Sequence, residues 1–281
     1  MYHYMYQRHL ATPACPEDPD THGLASYGHF ASRDGVHWAR LPVAIWNGVE
    51  VAALGNSTTN TPYDTQSIYS GSATVLPGLA PDGRGDGILQ IYPGLCRKAD
   101  WPACSTGTLL AAAVPADYAT DPLLRRWKKL GVVVEGTQRD PSSAFSMTSG
   151  ERRFRTVDAI VFGAASDAEL AAGKLYRIGP SNMPVGECPS VYALPVSTPG
   201  FEADFLKISK SFGPTHVFKY GARSTDPLFN GTGRGGDAYI LGRYPVGASK
   251  NTSANITTHG PPQRVDNGKC ELLTVASDSF S

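Results

Sequence analysis

The 281-residue chain balances 25 lysines and arginines against 25 aspartates and glutamates, so it lacks the basic excess that would mark a nucleic-acid partner or an anionic membrane surface. Its 30 glycines and 22 prolines are scattered between apolar runs, which excludes a helical bundle and reads as the punctuation of many short strands, an all-β class. No apolar stretch reaches the ~18 residues of a spanning helix.

Residues 1–7 alternate aromatics with other residues, as a half-buried strand does. The polar, Pro-rich stretch 12–22 is a loop. Residues 26–38 read as a strand, an Asp34-Gly35 turn and a second strand from Val36, with Trp38 assigned to the core by pattern alone. Strands follow at 67–75 and 87–92, and Arg84-Gly85-Asp86 between them is turn chemistry. After a strand at 109–114, Asp121-Pro122 is placed to open a short helix through Trp127, since Asp suits the N-cap and Pro the first helical position. The run Arg152-Arg153-Phe154-Arg155 is read as the solvated face of a hairpin, with a strand at 155–162. Ser166 and Glu169 form a capping box before Leu170, with Gly173 as the stop. Further strands fall at 174–178, 191–196, 215–220 and 238–244. Gly231, Gly233 and Gly236 spell G-x-G-x-x-G, but they precede a strand where a dinucleotide site needs a helix. Short strands with turn signals between them indicate a propeller, sandwich or barrel, and the pattern does not choose.

Five cysteines at irregular spacing argue against a dense disulfide scaffold or a four-thiolate zinc site. Cys96 and Cys104 either pair or stand as two thiols. Sequons at Asn56, Asn230, Asn251 and Asn255 lean toward a secretory route, although no basic-then-apolar signal segment is visible.

Three polar clusters stand at strand ends: Tyr69-Ser70-Gly71-Ser72-Ala73-Thr74, Arg139-Asp140-Pro141 and Gly186-Glu187-Cys188-Pro189. They supply two carboxylates and a set of hydrogen-bonding groups, the equipment of glycoside chemistry. With the block Ser26–Trp38, they resemble the signature blocks of glycoside hydrolase family 32, the invertases and fructan hydrolases. The departures are Tyr27 and Gly186 where the family carries Trp, and Gly35 where it carries Leu.

The resemblance implies a five-bladed β-propeller, incomplete here, acting on β-fructofuranosides such as sucrose or fructans by a retaining mechanism. It makes Glu187 the acid/base, with a pKa raised by burial and neighbouring carboxylates, and Asp140 the residue that stabilises the transition state. It assigns substrate contacts to Gln7, Tyr69, Ser70, Arg139 and Asp237. It requires no metal and no cofactor, and it places the protein outside the cell or in the vacuole. The oligomeric state is left open.

In the family, an Asn-Asp-Pro-Asn-Gly block bearing the nucleophile precedes the strand that 2–7 resembles. No counterpart occurs in the 281 residues, and Asp18-Pro19-Asp20 comes after that strand. Arg264–Lys269 and Ala276–Phe280 resemble a last-blade stretch. The expectation is therefore one partial propeller domain over 1–281, without the family's C-terminal β-sandwich and with weak or no activity as it stands. A catalytically dead carbohydrate-binding propeller and a fructosyltransferase are the alternatives.

Overall fold

In the computed structural model of the chain, the described residues are 1–9, 25–48, 61–80, 83, 85–96, 108–118, 120–136, 138–147, 149–193, 216–222, 225–229, 236–243, 254–258 and 262–264. They form four antiparallel sheets in two compact units, one of residues 1–141 with 166–175, the other of 142–165 with 176–281.

The first unit contains the sheet β1 (Tyr2–His9), β2 (Ala25–Ser32), β3 (Trp38–Ile45). Its second sheet is β4 (Ser67–Ile68) and β5 (Ser72–Leu76) on β6 (Gly87–Leu95), then β7 (Thr108–Pro115) and β8 (Trp127–Val134). Alternation in β1 directs Met5 into a cluster with Tyr27, Ile45, Ile68, Tyr92 and Leu109, while Tyr4 and Tyr6 stack on the opposite face, Tyr6 with Phe30 at 5.1 Å. The Asp34-Gly35 turn forms as read. Gly35 takes φ +73°, and the Asp34 carboxylate accepts from the N–H groups of Val36 and His37 at 2.9 and 2.8 Å.

Trp38, assigned to the core from pattern, is 43% exposed. Its indole donates to the Gly35 carbonyl at 3.0 Å, so it closes the turn. The strand read at 67–75 is interrupted at 69–71, where the chain presses against β6. The helix expected from Asp121 to Trp127 is absent. The Asp121 carboxylate does accept from the Leu123 and Arg125 N–H groups, at 3.2 and 2.8 Å, but Leu124 turns to φ +49° and ends the turn. β8 then begins at Trp127, which packs on the core. The capping chemistry was legible; the competing pull of the core on Trp127 was not.

The short helix α1 (Asp167–Ala171) starts at the Ser166 N-cap, whose Oγ accepts from the Glu169 N–H at 3.2 Å, and Gly173 follows at φ +68°.

His3 and His29 meet across β1 and β2, Nδ1 to Nε2 at 3.0 Å, and His29 is fully buried. Burial, then the neighbouring His3, pulls the His29 pKa from 6.5 down to about 4, with Asp121 opposing. Between those values the unfolded chain binds more protons than the folded one, so stability falls as pH is lowered from 6.5 to 4. Denaturant unfolding across that window should show a loss of about 2 kcal/mol, and His29→Gln should flatten it. An unchanged slope in the variant would assign the pH dependence elsewhere.

The second unit contains the sheet β9 (Phe145–Ser146), β10 (Arg152–Arg155), β11 (Ile160–Ala164), β12 (Tyr176–Pro180). Beside it in sequence comes β13 (Glu187–Ala193), β14 (His216–Ala222), β15 (Gly236–Arg243), with β16 (Thr257–Thr258) and β17 (Gln263–Arg264) both on β15. The inward positions of β14 and β15 join Phe145, Val191 and Ile256 in one core.

The strand read at 155–162 is two strands joined by a turn in which Ala159 takes φ +60°. The hairpin is there, but its arginines are not solvated: Arg153 and Arg155 are fully buried. Arg153 donates to both carboxylate oxygens of Glu151, at 3.2 and 3.1 Å, and the Tyr176 hydroxyl donates to the same carboxylate. Buried charge persists here because it is paired and hydrogen-bonded.

Asp86 accepts from the Gly78 N–H at 3.0 Å, which is the turn chemistry read for that segment. Cys96 is disulfide-bonded, whereas Cys104 lies outside the described residues. So do the loop 12–22, Asp18, Asp20, Gly231, Gly233, Asn56, Asn230 and Asn251. Asn255 is exposed. Among the described residues, no helix is long and apolar enough to cross a membrane.

Candidate active site

In the first unit, Gln7 shares the inward face of β1 with Met5 and donates from Nε2 to Ser70 Oγ at 2.6 Å. Two residues singled out 63 positions apart in sequence therefore touch. Ser70 lies in the break between β4 and β5, and that break is built by its neighbours. The Tyr69 N–H donates to the Pro93 carbonyl at 3.0 Å, and the Tyr27 hydroxyl donates to the Tyr69 carbonyl. Gly71 has no room for a side chain: a Cβ there would sit 2.2 Å from the Ile91 carbonyl oxygen and 2.9 Å from the Tyr27 hydroxyl.

Tyr27 appeared in the sequence only as a departure from the family pattern; its hydroxyl is what anchors the Tyr69 backbone. Tyr69 is half-buried. Burial raises its phenol pKa, and the positive charge of nearby Arg139 works against that shift. Asp140 follows, 7% exposed and at φ +51°, a left-handed backbone that Asp tolerates better than most residues.

In the second unit, Glu187 opens β13 and is exposed; the burial expected for it is not found. Its cross-strand partner is Gly221, whose partner on the other side is Asp237. Directly paired residues share a face, so Glu187 and Asp237 flank a glycine across three adjacent strands, their backbones ~10 Å apart along the hydrogen-bonding direction. A Cβ on Gly221 would come 3.6 Å from that of Glu187. Lys219 binds Asp237 at 3.0 Å, a partner with no signal in the sequence beyond its position two residues before Gly221.

Cys188, exposed and not in a disulfide, takes φ +45°, and the register shifts between Glu187 and Ser190. Such a bulge re-aims the side chain beside it. Gly186 also has a reason to lack a side chain: a Cβ would meet the Tyr220 ring at 2.6 Å and the Gly221 carbonyl oxygen at 2.8 Å.

Among the described residues, four other than glycine have positive φ, and two of them are Asp140 and Cys188. Left-handed backbone at a non-glycine residue costs of order 1–3 kcal/mol and persists where the surroundings over-determine it, often at functional sites. An open cavity of about 440 Å³ lined by Pro42, Asp117, Thr120, Asp121, Arg125 and Arg126 contains none of the sequence-predicted residues. Among the described residues, no group of three or more His, Cys, Asp or Glu side chains is placed to hold a metal ion.

These antiparallel meanders, with carboxylates and hydrogen-bonding groups at their strand ends, are of the propeller-like all-β class. The family model described as "Glycosyl hydrolases family 32 N-terminal domain" matches residues 1–271, and the chain belongs to that family. It is 27% identical over 285 residues to "Beta-fructofuranosidase, insoluble isoenzyme 7" of Oryza sativa subsp. japonica, covering 95% of this chain and 39% of the relative. It is 29% identical over 249 residues to "Fructan 6-exohydrolase" of Triticum aestivum, covering 79% and 35%.

Among solved structures, the β-fructofuranosidase from Schwanniomyces occidentalis complexed with fructosyl-erythritol superposes with a TM-score of 0.58 at 16% identity, over 94% of this chain and 44% of that one. The exo-inulinase from Aspergillus awamori gives 0.56 at 19%, over 92% and 47%. These likenesses show the fold, in which the four sheets are four blades. The chain spans less than half the length of these relatives.

Proposed function

We propose that this chain is a partial five-bladed catalytic propeller of a retaining β-fructofuranosidase, acting on sucrose or fructans. The relatives are named as fructofuranosidases and a fructan exohydrolase. The observation that carries the reading to this chain is the surface on which Glu187 and Asp237 flank Gly221. It offers one carboxyl for proton transfer and a second for sugar hydroxyls, with the space of a missing side chain between them. Glu187 is the acid/base: it protonates the leaving glycosidic oxygen and then takes the proton of the attacking water. Asp140 stabilises the oxocarbenium-like transition state. Gln7, Tyr69, Ser70, Arg139 and Asp237 bind the sugar, Tyr69 by stacking.

Residues 1–281 contain no match to the family's nucleophile block, so a polypeptide of these residues alone is expected to hydrolyse sucrose weakly or not at all, because the covalent step is missing. Transfer to a second sugar would proceed through the same fructosyl-enzyme and differ in the acceptor admitted. One relative is named as vacuolar, in keeping with a vacuolar or extracellular location.

Sucrose and inulin hydrolysis should be measured for the 281-residue chain and for a polypeptide extended upstream to an in-frame Asn-Asp-Pro block. Activity confined to the longer form, and reduced about 10²–10⁴-fold by Glu187→Gln, is the expected result. Activity in the short form would overturn the nucleophile assignment. Silence in both, with sugar binding retained, would favour a carbohydrate-binding propeller.

A further inference from the structure

Arg155 belongs to the run that the sequence places in solvent, yet it is fully buried and touches two segments that matter to the proposed reaction. Its backbone carbonyl accepts from the Ser142 N–H at 2.8 Å, and its own N–H donates to Ser142 Oγ at 3.1 Å. Ser142 stands two residues after Asp140. Its guanidinium Nη2 donates to the Pro184 carbonyl, three residues before Glu187.

The hairpin that carries Arg155 supplies two further anchors of that loop, beside the bonds that Asn182 exchanges with the Ile256 backbone at 2.9 Å. The Ser181 N–H donates to the Ala159 carbonyl at 2.9 Å, and the Gly186 N–H to the Val157 carbonyl at 3.1 Å. We propose that Arg155 is a positioning residue for fructoside cleavage, one buried side chain and its peptide unit fixing the chain segments that present Asp140 and Glu187.

This rests on the roles given to those two carboxylates above. Asp140 and Cys188 both hold left-handed backbone, a conformation that relaxes unless its flanks are pinned. A charged donor on a carbonyl in dry surroundings makes a stronger bond than a neutral pair does. Lysine has the charge without the planar fork, so it does not reproduce the contact.

Hydrogen–deuterium exchange on the full chain tests the assignment directly. Arg155→Met should speed exchange in 181–188 by about tenfold or more and leave β14 and β15 within about twofold, while Ser142→Ala should loosen 140–145 alone. Unchanged exchange at 181–188, or a uniform rise through β13, β14 and β15, would overturn the proposal. Should Arg155→Met fail to fold, Arg155→Lys is read in the same two segments with the same criteria. In a polypeptide that hydrolyses sucrose, Arg155→Lys should lower kcat about 10²-fold with KM within about threefold, and equal losses in both would overturn it. Absence of hydrolysis in every form counts against the enzymatic reading, and the exchange pattern then decides the positioning role by itself.

Discussion

Lys129→Met is expected to destabilise the first unit by about 3–5 kcal/mol at neutral pH. Asp64 is completely buried and its ion-pair partner Lys129 nearly so. The carboxylate also accepts from Thr61 Oγ1 at 2.7 Å and from the Tyr92 hydroxyl at 3.3 Å, while Lys129 reaches Thr61 Oγ1 at 3.1 Å. Burial is the largest influence on both groups: it pushes the Asp64 pKa up and the Lys129 pKa down, and each charge works against the other's shift.

Methionine fills the lysine's volume but leaves the carboxylate buried without its counter-ion, so Asp64 must take up a proton to remain inside. The folded variant then holds a proton that the unfolded chain has released, and its stability falls further as pH rises. Urea unfolding at pH 5 and pH 8 should show the larger deficit at pH 8. Adding Asp64→Asn should recover at least half of the loss, because the uncompensated charge goes with it. A single-variant loss below about 1 kcal/mol would mean that water reaches the pair.

Gly71→Ala is expected to cost about 2–3 kcal/mol and to lower sugar affinity or turnover by up to about 10²-fold. The added methyl would lie 2.2 Å from the Ile91 carbonyl oxygen and 2.7 Å from Tyr92 Cα. Both are backbone atoms of β6, so relief must come from the 69–71 segment. That segment carries the Tyr69 carbonyl held by Tyr27 and the Ser70 hydroxyl held by Gln7, and neither bond survives an outward shift. Tyr27→Phe separates the two effects: it keeps the ring and loses only the bond to Tyr69, so it should reproduce part of the functional loss at a smaller cost in stability. Isothermal titration with fructose and thermal unfolding of both variants would check this, and full affinity in Gly71→Ala would dissociate the segment from sugar binding.

The strands around the candidate site were legible because period-two alternation and turn residues are local properties. β1, β2, β7, β14 and β15 lie within a few residues of where pattern placed them, and the Ser166 N-cap of α1 formed as read. The pairing of Gln7 with Ser70 was foreshadowed only by resemblance, since nothing local relates positions 63 apart. Where reading failed, the failures share a cause. Trp38 looked like core and closes a turn; Arg153 and Arg155 looked like solvent and are buried; Asp121 looked like a helix start and makes a single turn.

In each of those cases the side chain's environment is set by what a distant strand brings to it, and charge or ring size alone carries no information about that. The sequence by itself determined the all-β class, the order of the strands and the identity of the polar blocks, because these follow from local periodicity and residue chemistry. Only the tertiary structure decided that Arg155 faces Pro184, that Glu187 and Asp237 share a sheet face across Gly221, and that Asp64 has Lys129 to neutralise it. Register and loop closure juxtapose residues tens of positions apart, and the free energy that selects those contacts is released only when the sheets pack.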